Sequence, residues 1–211
     1  DEIYPEKLTE GQDRPSPEQD AGPVVRTVLH KGASAIILAV DLKKLLATAE
    51  STDGVMELVP QVGDFVGADE PLFLLHGGAG GVGDQVLRDC VAFGSERTMD
   101  QDPLFAFRIL VDIAIKALSA AINDPTTAVL AIDQLQRLLR RAGLRNLHAN
   151  QILDRTGKLR VIFRTPDWED FVHIACCEIR FCGAGNMQIA RRLRAMLMSL
   201  SETLPAERHP A

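Results

Sequence analysis

The stretch from Gly94 to Ala128, GSERTMDQDPLFAFRILVDIAIKALSAAINDPTTA, constrains the fold most, because it holds two aspartate-proline helix starts, Asp102-Pro103 and Asp124-Pro125. At each, the aspartate can accept from orphan amides and the proline presets φ for the first helical residue. Between them runs an almost wholly apolar helix marked by Arg108, Asp112 and Lys116 at i, i+4 and i+8, one charged stripe on a greasy rod. A helix apolar nearly all round belongs in an interior, and charges buried with it must find partners. The stretch therefore predicts a central helix and a polar cluster around it.

The cluster can be named. Glu96, Arg97, Gln101 and Asp102 precede the rod, Arg108, Asp112 and Lys116 stripe it, and Ser119, Asn123, Asp124, Thr126 and Thr127 follow it. All twelve converge if the helices from Pro103 and Pro125 pack as a hairpin. In the structural reading Asp102 and Asp124 are caps, while Arg108, Asp112 and Lys116 neutralise one another. In the functional reading the cluster holds a small ligand or ion: Asp112, Asn123 and Asp124 supply oxygens, or Arg97 and Arg108 grip an anion. Carboxylates beside cations stay ionised, which suits a general base poorly, and no catalytic residue is assigned.

Composition sets the class. A chain of 211 residues can bury the core of one large domain or two small ones without disulfides. A formal net charge of -6 gives no electrostatic reason to expect nucleic acid as a partner. Cys90, Cys176, Cys177 and Cys182 form no CxxC pair, so they are expected as thiols in a reducing compartment. His173 with Cys176 or Cys177 has the helical spacing of a metal-ligand pair, but cysteines on an apolar helix are more often core, and no metal is expected. No apolar run reaches the roughly 20 residues of a membrane span, and no signal peptide opens the chain. The chain begins at Asp1 without methionine and reads as a piece of a longer protein.

Residues 1–22, rich in Pro, Glu, Asp and Gln, read as a flexible linker. Residues 23–76 read as a β-rich unit: VVRTVLH and SAIILAV as strands, DLKKLLATA as a helix capped by Asp41, then Val55 to Leu58 and VPQVGDFVGADEPLFLLH as short strands with turns at Gly63-Asp64 and Gly67-Ala68. The last passage resembles the VGDxVxxGxPL hairpin of the barrel-sandwich fold of biotinyl and lipoyl carriers. No cofactor is expected, since neither Lys31 nor the pair Lys43 and Lys44 stands at a tight hairpin. Residues 77–83 are expected as a glycine linker. Gly78, Gly80 and Gly83 match GxGxxG, but no second parallel strand with a ribose-binding acid follows, and His76-Gly77-Gly78-Ala79 has no GxSxG partner.

Residues 84–211 read as a helical unit with a hairpin near 150–164. A helix is expected near 84–93, then the two Asp-Pro helices, the second with Val129, Ile132, Leu135 and Leu139 inward and a stop at Gly143. NQILDRTGKLRVIFRTP reads as the hairpin, turning at Thr156-Gly157. Asp167 caps a helix that buries Trp168, Phe171, Ala175 and Ile179 and ends at Gly183. Asn186 opens the last, with Ile189, Leu193, Met196 and Leu200 inward and Arg191, Arg192 and Arg194 outward. The expected fold is thus α+β: a small, β-rich, barrel-sandwich-like unit followed by a mainly helical one.

GSERTMDQD, LVDIAIKALSAAINDPTTA and RTPDWEDFVHIA resemble the soluble C-terminal part of the bacterial predicted membrane proteins grouped as the domain-of-unknown-function 2254 family, over roughly Lys31 to Arg208. The family word usually reads ALSPAINDP; here Ala120 stands in the place of proline, which leaves Ser119 free to stay helical. The resemblance implies transmembrane helices before Asp1, a juxtamembrane role for residues 1–22, and attachment to the inner membrane; the unpaired cysteines add the expectation that the domain lies on the cytoplasmic face. It transfers no activity. The function expected is therefore non-enzymatic, in assembly, gating or ligand sensing, with self-association. The alternatives are a membrane-tethered hydrolase or transferase using the cluster, and the soluble rim of an ion channel or transporter.

Overall fold

The computed structural model describes Tyr4, Lys7, Leu8 and residues 19–148 and 150–209. The fold is α+β, and the chain divides into two compact units, each drawn from separate segments.

The sheet unit takes 15–102 and 148–165. Its strands are β1 (Val24–Leu29), β2 (Ala35–Val40), β3 (Gly54–Leu58), β4 (Phe65–Val66), β5 (Pro71–Gly77), β6 (Val91–Gly94), β7 (Gln151–Leu153) and β8 (Leu159–Ile162). They form a five-stranded sheet in the order β1-β5-β3-β8-β7 and a three-stranded sheet in the order β4-β2-β6, with no closed barrel. Helix α1 (Leu42–Thr52) is capped as expected, the Asp41 carboxylate accepting from the Lys44 amide at 3.0 Å. It buries Leu45 and Ala49 in a core with Ile37, Met56, Phe73 and Leu75. Central strands β3 and β5 are mostly apolar because neither face meets water.

The expected hairpin forms as β7 and β8, but it belongs to this sheet: β8 runs parallel to β3, with Met56 opposite Val161. The burial of Leu159, Arg160 and Val161 in succession follows from that interior place. A second difference concerns 84–93. Helix α2 covers only Asp84–Arg88, and Val91–Gly94 forms β6 on the open edge of β2. A short apolar run is ambiguous between helix and strand, and here an unpaired neighbouring edge decided it.

The glycines of 77–83 are packed into this unit. Strand β5 runs through Gly77, opposite Gly54, and Gly78–Gly81 make one 3₁₀ turn with Ala79 fully buried. A Cβ on Gly78 would lie 1.8 Å from the Thr52 carbonyl oxygen, and one on Gly54 2.1 Å from the Ala79 nitrogen. The two backbones meet closely, which accounts for Gly54 and, within the run, Gly78 without a phosphate.

The helical unit takes the remainder. It contains α3 (Pro103–Leu118), α4 (Pro125–Gly143), α5 (Trp168–Cys182) and α6 (Met187–Thr203) around Phe107, Ile132, Leu135, Leu139, Phe171 and Met196. Helix α3 stops at Leu118, before Ser119. The Asp124 amide donates to Ala117 and that of Asn123 to Ser119, each at 2.8 Å, with Asn123 left-handed at φ 48. Asp167 and Asp170 form a reciprocal capping box at α5, and Asn186 accepts from Gln188 and Ile189 at α6. Gly143 lies under Leu204 and Trp168, so its role is close packing.

Part of the expected linker is docked. Tyr4 is 7% exposed, meets Phe171 edge-on, and donates its hydroxyl to the Pro166 carbonyl at 2.9 Å. The Leu8 amide donates to Leu144, and Gln19, in the sheet unit, bonds Gln151 and Gly157 of the hairpin. The remainder of 1–18 lies outside the described residues.

Candidate functional site

The twelve candidate residues divide between the units. Glu96, Arg97, Gln101 and Asp102 belong to the sheet unit, the other eight to the helical one. Asp102 is the most buried, 2% exposed, and Arg97 grips it through Nε and Nη2, each at 2.7 Å. Gly63, at φ 94, makes room: its Cβ would stand 2.3 Å from the Asp102 carboxylate. Gln101 accepts from the Val40 amide at 3.0 Å, tying the end of β2 to the chain after β6. Glu96 is exposed.

In the helical unit, Asp124 caps α4, accepting from the Thr127 amide at 3.1 Å and from its hydroxyl, and these bonds hold its carboxyl below the usual range. Arg108 bonds Asp112 one turn on, but also reaches across to Glu178 on α5. The two carboxylates push the Arg108 guanidinium further above its already high value, Glu178 first, and it in turn holds Glu178 low. Lys116, Asn123 and Thr126 are exposed, and the Ser119 hydroxyl donates to the Lys116 carbonyl. The stripe is therefore a helix-to-helix tie on a surface, with Glu178 as a partner that helical spacing could not supply. His173 is exposed, while Cys176 is half-buried and desolvation pushes its thiol up to about 11. Among the described residues no three His, Cys, Asp or Glu are grouped to hold a metal ion.

Other polar constellations among the described residues lie outside those candidates. Arg160, on β8, donates to Asp154 at 2.7 Å and meets Asp53 at 2.9 Å, where Asp53 ends α1 in a left-handed conformation. Asp154 also accepts from Thr156 and the Lys158 amide, and these bonds, with Arg160, draw its carboxyl far down. His76 is buried between the Gly22 carbonyl, at 2.9 Å, and Glu57, at 3.4 Å. Arg192, expected on the outer face of α6, instead bonds Asp133 and Gln136 of α4, and Gln136 donates on to Ser199 at 2.9 Å. Arg160 within an alternating apolar run was the one visible signal.

Each set closes on protein partners, and what they do is fasten element to element: β8 to α1, α3 to α5, α4 to α6. The family model described as "Predicted membrane protein (DUF2254)" matches residues 2–199, and the chain belongs to that family. It is similar to "Uncharacterized protein Mb1321c" of Mycobacterium bovis and "Uncharacterized protein Rv1290c" of Mycobacterium tuberculosis, each 31% identical over 96% of this chain. It spans 40% of the length of these relatives. No solved structure matches. Among the described residues no helix is long and apolar enough to cross a membrane.

Proposed function

We propose that this chain is a non-enzymatic assembly domain of an integral membrane protein, on the cytoplasmic side, that brings copies of the protein together through the outer face of α3. The observation that carries the reading is on that helix. Ile109 and Ile113, one turn apart, are 37% and 44% exposed, on the face opposite buried Phe107, Val111 and Ala114. Adjacent isoleucines on a surface helix are a contact waiting for a partner, and a second copy of the same face supplies an apolar one with closed symmetry. Membership of a membrane-protein family supports attachment, and free Cys90, Cys176, Cys177 and Cys182 support a reducing compartment. Gating or sensing by the whole protein would then act through the assembly this face makes.

Light scattering across a concentration series tests the reading. The wild type should form a discrete oligomer, and I109E/I113E should be a monomer with unchanged circular dichroism. A wild type that stays monomeric at high concentration, or a double variant that still assembles, would sink it.

A further inference from the structure

Helices α5 and α6 border a groove of about 620 Å³, within the few-hundred to ~1,000 Å³ range of small-molecule sites. Its wall is apolar, from Leu193, Leu197 and Met198, and Met198 is 52% exposed. Arg180 and Arg194 also line it, and Glu202 stands at its far end. Arg180 lies in the last turn of α5 and Arg194 one turn beyond Ala190, the first residue of α6 on the wall, so both stand in the N-terminal half of the groove, and Glu202 lies eight residues beyond Arg194, about 12 Å along the axis.

The charges decide what fits. Arg180 suits the last turn of α5 through the helix dipole, which alone would explain it. Arg194 sits mid-helix, where no dipole calls for it, and neither arginine makes an ion pair among the described residues. The contrast with neighbouring Arg192, fastened to Asp133 and Gln136, is direct. Two unpaired guanidiniums in the N-terminal half of an apolar trough complement an anionic head, and the apolar wall complements a hydrocarbon tail. Glu202 repels a second anion at the tail end.

We propose that this groove binds a single-chain amphiphile with one carboxylate, of the fatty-acid class, its head on Arg180 and Arg194 and its chain along Leu193, Leu197 and Met198. The site is separate from Ile109 and Ile113 on α3, so it stands or falls independently of assembly through that face.

Isothermal titration calorimetry with monomeric dodecanoate tests it. One equivalent should bind; dodecanol, lacking the charge, and dodecanedioate, carrying a second, should each bind about tenfold or more weakly. R180Q/R194Q should lose about tenfold or more for dodecanoate while dodecanol is little changed, and Arg191→Gln, outside the groove, should lose nothing. Ala190→Trp, which fills the groove from an exposed helical position, should abolish binding with circular dichroism unchanged. No binding of dodecanoate, equal binding of dodecanol or dodecanedioate, or an R180Q/R194Q variant that binds like the wild type would overturn the proposal. So would association with vesicles of anionic phospholipid without binding of dodecanoate, which would make the arginines a membrane-facing patch.

Discussion

Arg160 donates through Nε to Asp154 at 2.7 Å, with both side chains more than nine-tenths covered, and the same guanidinium reaches Asp53 across the end of α1. One buried cation thus joins a hairpin turn, an interior strand and a helix terminus. Leaving either partner alone would strand a buried charge, which is costlier than never having the pair.

That pair gives the protein an acid limb of known sign. The folded protein holds Asp154, Asp53 and Asp124 below their ordinary values, Asp154 most. A carboxyl depressed in the folded state contributes stability above its unfolded pKa, near 4, and loses it as pH falls towards the folded one. Calorimetric midpoints should fall as pH drops below about 4. Asp154→Asn should lower the midpoint at pH 7 and flatten this limb, and parallel limbs in variant and wild type would refute the linkage.

The contact of Gly78 with the Thr52 carbonyl predicts an asymmetric pair of variants. Gly78→Ala puts a methyl against backbone that cannot move alone and should cost about 1–3 kcal/mol. Gly81→Ala meets nothing within 4 Å and should be neutral or slightly stabilising. Equal denaturant midpoints for the two would remove the packing explanation of the glycine run.

Tyr4 offers a test of whether the N-terminal segment is part of the helical core. Tyr4→Phe removes a hydrogen bond to Pro166 and should cost about 1 kcal/mol, while Tyr4→Ala should cost about 3 kcal/mol. Urea unfolding measures both, and a Tyr4→Ala protein as stable as wild type would mean the ring adds nothing.

Thiol chemistry should separate the cysteines of α5. Desolvation holds Cys176 at about 11, whereas Cys182 is exposed. Iodoacetamide at pH 8 should modify Cys182 at least about tenfold faster than Cys176 in the native protein, read by peptide mass spectrometry. Equal rates would mean that α5 opens on the labelling timescale.

Helix starts were legible because caps are local: Asp41, Asp124, Asp167 and Asn186 each satisfy amides within three residues. The inward faces of α5 and α6 were legible for the same reason, since periodicity needs no partner. What escaped depended on distant chain. Val91 to Gly94 is a strand only because β2 has an open edge, Arg108 finds Glu178 seventy residues on, and Arg192 turns inward because α4 presents Asp133. The twelve candidates are divided between two units, a division that their order in the sequence did not report.

The parallel pairing of β3 with β8 sets an order on events during synthesis. Met56 cannot meet Val161 until α3 and α4 have left the ribosome, so the sheet waits, with one side of β3 unclaimed, while the helical unit begins to form. Over that interval the nascent chain exposes a bare strand edge of mostly apolar sequence. A holding chaperone, or a pause before the hairpin codons, would matter most there.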